Sequence, residues 1–214
     1  MEEKHVKRSK NLDADVVNKL DTRNLNLNFV KDGYMYLLRG SDRSHFKGFY
    51  TLDFAVLNKN MQDRGIDPCV DAHAQVLNGD THFFSATTNV NVASVYGEKI
   101  YVLKVPVEDV YTFYHNNDDL DIEYMIPDCI EEEEIIGIFD RMDFDSIYEL
   151  LLEKGLFIDY EDIGYNDFKN ITQEDIENLR RYTHDFNYIR YYLQNLKEEQ
   201  IKMQRESFLQ RIRK

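Results

Sequence analysis

The first 140 residues carry their apolar side chains mainly in short runs, which are typical of buried strands. The clearest run, residues 34–38, lies between Gly33 and Gly40 and predicts a strand that ends at Arg39. The same reasoning predicts further strands at residues 82–86, 100–105, 107–114, 122–126 and 135–139. Helices are predicted at residues 51–64, 70–77 and 89–96, the last with Asn89 as its N-cap. This part of the chain is therefore expected to be α+β.

After Asp140 the spacing of apolar residues becomes helical. A short helix is expected to end at Gly155, and Thr172 followed by Asp175 predicts the capped start of a long final helix. Apolar residues recur along that helix at steps of three and four, at Leu179, Tyr182, Phe186, Ile189, Leu193 and Leu196. Such a face packs on the rest of the chain, or it serves a coiled-coil dimer or a docking helix. We favour packing within the chain.

These changes of pattern divide the chain into three parts. Residues 1–30 are polar and form an N-terminal arm, in which Val16, Val17 and Leu20 predict one helix. Residues 31–140 form the α+β domain, and residues 141–214 form a C-terminal helical region.

Composition narrows the classes of function. The chain has 214 residues, 43% of them hydrophobic, which suffices for one substantial domain. Its formal net charge of −14 opposes binding to phosphate backbones, so nucleic acid is not an expected partner. The two cysteines fit neither a disulfide scaffold nor a metal-binding spacing, so no metal is expected. No run of 18 apolar residues and no signal-peptide core occur, so we expect a soluble protein without a Sec signal.

The first element with candidate chemistry is the end of the strand predicted at residues 34–38. Arg39 offers fork-shaped donors to a phosphate, and the neighbouring Gly40 lets a ligand approach the backbone. The alternative for Arg39 is an ion pair with one of the 40 acidic residues.

The second element is the run of hydroxyl residues Ser85, Thr87 and Thr88, which follows a predicted strand. Ser85 is placed to orient a carboxylate across the sheet. Alternatively, the segment serves only to cap the helix that begins after Asn89.

The third element is the acidic pair Asp121 and Glu123, which share one face of a predicted strand because side chains alternate. Two such acids can divide the work, one stabilising positive charge on a sugar and the other activating a nucleophile. The alternative is a solvent-facing edge in an acidic stretch that continues to a solvated turn at residues 131–134.

Together, in this order and spacing, the three elements resemble the arginine, serine-threonine-serine and glutamate signature of the R-S-E class of mono-ADP-ribosyltransferases, the cholera-toxin and pertussis-toxin type. The resemblance covers about residues 34–139 and includes the flanks at residues 45–49 and 92–96. It implies a split β-sheet core with flanking helices, followed here by the C-terminal helical region.

The resemblance also implies roles for the motif residues. Arg39 would hold the phosphates of NAD and brace the pocket, with Gly40 beside them. Ser85 would position the glutamate and the nicotinamide ribose, and Glu123 would be the catalytic glutamate. Thr87 would also contact NAD; it stands in the hydroxyl motif, where Ala86 and Thr87 replace the more usual threonine and serine.

Four further positions either depart from the family pattern or match a residue that only some members of the family have. Arg43 matches a second arginine often found nearby, and His73 falls where some members have an active-site histidine; the resemblance implies that both would contact NAD. Asp121 stands two residues before Glu123, where the family usually has a Glu or Gln that helps to select the acceptor side chain of the target. The resemblance therefore does not decide whether the acceptor is an arginine. Asp42 lies one place later after the arginine than in the common motif.

The function implied by the resemblance is cleavage of NAD, as a co-substrate, and transfer of ADP-ribose to a target protein. The resemblance further implies a secreted bacterial effector or toxin, exported without a Sec signal, that acts in the host cytoplasm; the bacterial cytoplasm is the alternative. Three other classes are an inactive member of the fold that acts through its C-terminal helix, a phosphate-handling relative, and an unrelated acidic interaction protein. The presence of Arg39, Ser85 and Glu123 together favours the enzyme.

Overall fold

The structure is a computed structural model that describes residues 20–21, 25–42, 48–50, 83–113, 123–127, 129–164, 172–181 and 202. Within these residues the protein is α+β, with antiparallel strands and few helices. The helices predicted at residues 51–64 and 70–77 lie outside the described residues, as does the apolar face predicted beyond residue 181.

The described part of the chain contains short and long strands and three α-helices. The strands are β1 (Leu20–Asp21), β2 (Val30–Lys31), β3 (Tyr34–Ser41), β4 (Phe49–Tyr50), β5 (Phe83–Ala86), β6 (Lys99–Pro106), β7 (Thr112–Phe113), β8 (Tyr124–Pro127), β9 (Cys129–Ile130) and β10 (Ile135–Asp140). The helices are α1 (Val90–Val95), α2 (Phe144–Glu153) and α3 (Gln173–Arg180). Short 3-10 turns occupy Leu27–Phe29, Val107–Asp109 and Glu132–Glu134.

The longest strands form a four-stranded antiparallel sheet in the order β10-β6-β3-β2. β3 and β6 pair along their whole length, from Tyr34 opposite Pro106 to Ser41 opposite Lys99. The middle residues of both strands are buried in succession, so both faces of the sheet are covered. A strand covered on both faces needs apolar residues at every position, which explains the unbroken run that predicted β3.

Three two-stranded ladders, β1-β7, β4-β9 and β5-β8, accompany this sheet. β5 is joined to β3 by one isolated bridge, in which Leu38 and Thr87 exchange both backbone hydrogen bonds at 2.7 and 2.8 Å. A second bridge joins Tyr111 to Met125. Thr87 directly follows β5, so the strand that carries the serine motif meets the main sheet at its C-terminal end, through this bridge.

The helix boundaries follow the capping signals in the sequence. The side chain of Asn89 accepts hydrogen bonds from the backbone N–H groups of the first turn of α1, as predicted. Thr172 and Asp175 form the predicted capping box at the start of α3. α2 ends before Gly155, also as predicted, and the Lys31 side chain donates to the carbonyl oxygens of Lys154 and Gly155.

One hydrophobic core contains residues from both sides of position 140, where the sequence pattern changes. Leu37 and Leu103 from the main sheet share it with Ile147 and Leu151 of α2. The segment after α2 adds Leu156, Ile158 and Ile163. Full burial of side chains of this size contributes roughly 1.5–3 kcal/mol each, so residues 144–163 stabilise the sheet that carries the candidate site.

A buried arginine links the end of β10 to α3. Arg141 is 4% exposed and places its guanidinium 2.6 Å from the carboxylate of Glu177 and 3.4 Å from that of Glu98. Because both carboxylates are about half exposed, the arginine carries most of the desolvation in this cluster.

Two predicted elements are wrong in detail. The strand predicted at residues 107–114 begins instead with the 3-10 turn Val107–Asp109, and only Thr112–Phe113 is a strand. The turn follows Pro106, which ends β6, and the Val110 N–H closes it on the Val107 carbonyl. Leu20, predicted in a helix, lies in β1 opposite Phe113, because strand pairing overrides its local helical spacing.

Among the described residues, none of the helices has both the length and the apolar character needed to cross a membrane.

Candidate active site

The predicted serine and glutamate meet at the edge of the β5-β8 ladder. Ser85 lies opposite Met125, and Glu123 precedes Met125 by two residues, so Ser85 and Glu123 fall on the same face. The Ser85 hydroxyl donates a hydrogen bond of 2.5 Å to Oε1 of Glu123, across 38 residues of sequence. This length is typical of a strong hydrogen bond from a hydroxyl to a carboxyl oxygen. Glu123 precedes β8 rather than lying within it, and its side chain is half-buried.

The predicted arginine reaches the same serine from the main sheet. β3 continues two residues beyond Arg39, to Ser41, because Gly40 and Ser41 pair with Ile100 and Lys99 of β6. The guanidinium of Arg39 donates through Nη1 to the backbone carbonyl of Ser85, 46 residues away in sequence. Arg39 therefore contacts the main chain of Ser85, while the side chain of Ser85 contacts Glu123.

Two aromatic rings contact the Arg39 guanidinium. Its Cζ lies 4.9 Å from the ring centre of Phe49 and 5.2 Å from that of Phe84. Both separations fall within the range of cation–π attraction, so the rings attract the guanidinium in addition to its hydrogen bond to Ser85. The two ring centres lie 5.6 Å apart, so the rings are neighbours and the guanidinium contacts both of them.

The end of β3 also packs closely against α1. A Cβ atom added to Gly40 would lie 2.0 Å from the backbone oxygen of Ala93 and 3.0 Å from Cβ of Tyr96. Gly40 is thus required by the contact between strand and helix, which is a different reason from the ligand approach expected from the sequence. The helix in turn brings Tyr96, its C-cap, beside the site.

Tyr96 is a residue that the motif analysis did not assign to the site. Burial raises the pKa of its phenol well above the ordinary value of 10.0, and the negative charge of Glu123 raises it further. Tyr96 therefore stays a neutral phenol next to the carboxylate at physiological pH. The sequence signal was its place in the flank that follows the serine motif.

Thr87, expected to contact NAD, is buried, and its hydroxyl accepts a 3.0 Å hydrogen bond from the backbone N–H of Asn89. This contact sets the start of α1. Asp42 accepts a 3.1 Å hydrogen bond from the backbone N–H of Glu98, which ties the end of β3 to the start of β6. Asp121, Arg43 and His73 lie outside the described residues.

In the described ranges, His, Cys, Asp and Glu side chains do not gather in groups of three or more with metal-binding geometry. No protein-family model, curated protein or solved structure matches the chain.

The arrangement offers three chemical functions at one place. A half-buried carboxylate is held in one orientation by a hydroxyl donor, so it can accept a further hydrogen bond and stabilise positive charge. The Arg39 guanidinium binds the backbone carbonyl of the same serine whose hydroxyl binds the carboxylate. A neutral phenol stands next to the carboxylate. Such a set suits a substrate that develops positive charge and carries an anionic group.

Proposed function

We propose that the protein is a mono-ADP-ribosyltransferase that uses NAD as its co-substrate. The observation that carries this proposal is the convergence of Arg39, Ser85 and Glu123, which come from three separate segments of the chain. The β5-β8 ladder is separate from the four-stranded sheet and meets it at the bridge between Leu38 and Thr87, which supports the proposal because the resemblance implies a split sheet.

Glu123 is the catalytic residue of the proposal. Its carboxylate accepts a hydrogen bond from the 2′-hydroxyl of the nicotinamide ribose and stabilises the positive charge that develops on the ring. The bond between the ribose C1′ and the nicotinamide nitrogen breaks, and its electron pair leaves with neutral nicotinamide. A nucleophilic atom of the target protein forms the new bond to C1′ and releases a proton. Water in place of the target gives hydrolysis of NAD.

Arg39 and Ser85 prepare the carboxylate for this step. The Ser85 hydroxyl binds one carboxylate oxygen of Glu123, and this bond sets the direction in which the other carboxylate oxygen points. A guanidinium has five N–H donors in a planar fork, so one arginine can brace a carbonyl and bind a diphosphate at the same time. The half-buried position of Arg39 favours such a role because its charge is only partly screened by water.

The target is proposed to be a protein of a host cell, with the enzyme acting as a secreted bacterial effector or toxin. This part rests on the resemblance of the motifs. The net charge of −14 favours a protein target over nucleic acid.

The proposal is tested by incubating the full chain with NAD labelled in its adenylate part and a eukaryotic cell lysate. We expect a labelled protein band that is absent with Glu123→Gln and retained with Glu133→Gln, an exposed residue in the same acidic stretch. Labelling that persists in Glu123→Gln would contradict the assignment of Glu123. A folded wild-type protein that gives neither labelling nor free nicotinamide would contradict the proposed function.

A further inference from the structure

The Arg39 guanidinium lies against two phenylalanine rings, Phe49 and Phe84, to which the sequence motifs assign no role. Phe84 is the neighbour of Ser85 in β5, whereas Phe49 comes from β4, a separate segment of the chain. Phe49 is 3% exposed and makes the closer of the two contacts, at 4.9 Å from Cζ. The position of the Phe49 ring therefore limits where the Arg39 guanidinium can lie.

Phe49 is itself held from several sides. Its backbone pairs with Ile130 in the β4-β9 ladder, and Ile130 is fully buried. Its ring meets the ring of Tyr101 edge-on at 5.4 Å, and Tyr101 is the β6 residue directly opposite Arg39. The second aromatic contact is with Phe84. A ring fixed in this way presents its face to the guanidinium in one orientation.

We propose that Phe49 is a positioning residue for the candidate site: it holds the Arg39 guanidinium against the Ser85 carbonyl and so sets the place of the hydroxyl that binds Glu123. The kinetic part of this inference rests on the proposed transferase function. The contact between Phe49 and Arg39 does not depend on that function.

The physical reason is the length of the arginine side chain. Several rotatable bonds separate the guanidinium from β3, and a hydrogen bond to a carbonyl does not by itself fix the plane of the planar group. Contact with two rings restricts its placement further, because the cation–π attraction favours one position of the cation over the ring faces. Ser85 receives the effect through its backbone and transmits it to Glu123 through its hydroxyl.

Phe49 is a better probe of this idea than Phe84. A change at Phe84 alters β5 next to Ser85, so it would disturb the serine directly. Phe49→Leu keeps an apolar side chain of moderate volume but removes the ring face. The matched control is Phe29→Leu, because Phe29 is also fully buried in the same core but has no ring contact with Arg39.

The first arm of the test measures steady-state NAD cleavage by the full chain of each variant. We expect Phe49→Leu to lower kcat about tenfold with KM for NAD within about twofold, the scale of one buried cation–π contact. Phe29→Leu should lose comparable thermal stability and keep its kcat. The proposal is overturned if both variants lose kcat alike, or if Phe49→Leu changes KM alone.

The second arm does not depend on activity and follows the Nε–Hε signal of Arg39 by NMR, assigned by its loss in Arg39→Lys. Ring currents from Phe49 should displace this signal, and Phe49→Leu should return it toward the position of exposed arginines while Phe29→Leu leaves it in place. If the wild type does not cleave NAD, the proposed function fails, yet a displaced signal still supports the hold on Arg39. If the Arg39 Nε–Hε signal keeps its wild-type position in Phe49→Leu, the proposed positioning role of Phe49 is overturned.

Discussion

The hydroxyl of Ser85 donates to the carboxylate of Glu123 at 2.5 Å, while the backbone carbonyl of the same serine accepts from Arg39. One residue thus connects the cation and the anion of the site through two different atoms. The Ser85 hydroxyl is a neutral donor, so it orients the carboxylate without cancelling its negative charge.

Ser85→Ala removes the donor to Glu123 while leaving the backbone carbonyl that Arg39 contacts. We expect kcat for NAD cleavage to fall about 10- to 100-fold, which corresponds to the loss of one charge-assisted hydrogen bond in the transition state. The measurement is release of nicotinamide under saturating NAD. The control is Ser94→Ala, which deletes a fully buried hydroxyl that donates at 2.7 Å to the Asn91 carbonyl. Equal losses in both variants would contradict a specific role for Ser85.

Gly40→Ala tests the close contact between β3 and α1. The new Cβ would lie 2.0 Å from the Ala93 carbonyl oxygen, so strand or helix must move, and we expect the free energy of unfolding to fall by about 3 kcal/mol. Gly33→Ala is the control: its Cβ meets nothing within 4 Å, and only its φ of +80° opposes alanine. That cost should be about 1 kcal/mol. Urea unfolding distinguishes the two, and a smaller loss at Gly40 than at Gly33 would contradict the close packing.

Tyr96 should make the protein less stable at alkaline pH. Its pKa is raised in the folded state, chiefly by burial and then by Glu123, so the folded protein keeps a proton that the unfolded chain loses above pH 10.0. The free energy of unfolding therefore falls as pH rises past that value, by up to about 1.4 kcal/mol per pH unit from this group.

Comparison with Tyr96→Phe isolates this effect from the other ionisable groups. The wild type should lose stability more steeply than Tyr96→Phe above about pH 10, and the two should run parallel below it. Chemical denaturation at several pH values gives both curves. Parallel curves over the whole alkaline range would show that Tyr96 titrates normally.

Arg141→Met tests the link between β10 and α3. Methionine keeps the apolar stem but removes the charge that meets Glu177 and Glu98, and we expect a loss of about 1–2 kcal/mol because both carboxylates remain half in water. Lys99→Met is the control, since Lys99 pairs with Asp140 at the surface. The unfolding midpoint should change in the first variant and not in the second. The opposite order would place the stabilising pair at the surface.

The sequence predicts those features that depend on local patterns. β3 and β6 are recognised because strands buried on both faces have unbroken apolar runs. The starts of α1 and α3 are recognised because Asn89 and Thr172 bond to backbone groups two or three residues away. The 3-10 turn at Val107–Asp109 is missed because valine favours strands and only the preceding Pro106 signals the break.

The candidate site likewise has some features that the sequence predicts and others that it does not. Arg39, Ser85 and Glu123 are named from residue types and order, but their contacts depend on the register of Ser85 opposite Met125, which no local pattern fixes. Phe49 and Tyr96 are missed because an apolar residue in a short strand and a tyrosine after a helix are common core features. Their relation to Arg39 and Glu123 arises only from packing between distant segments.

The most direct test of the account is the release of free nicotinamide from NAD by the purified full chain. The wild type should release nicotinamide, Glu123→Gln should reduce the rate at least about 100-fold because the amide carries no charge to stabilise the transition state, and Glu133→Gln should match the wild type. Circular dichroism should show all three proteins equally folded. Equal rates for the wild type and Glu123→Gln, or no release by the folded wild type, would contradict the account.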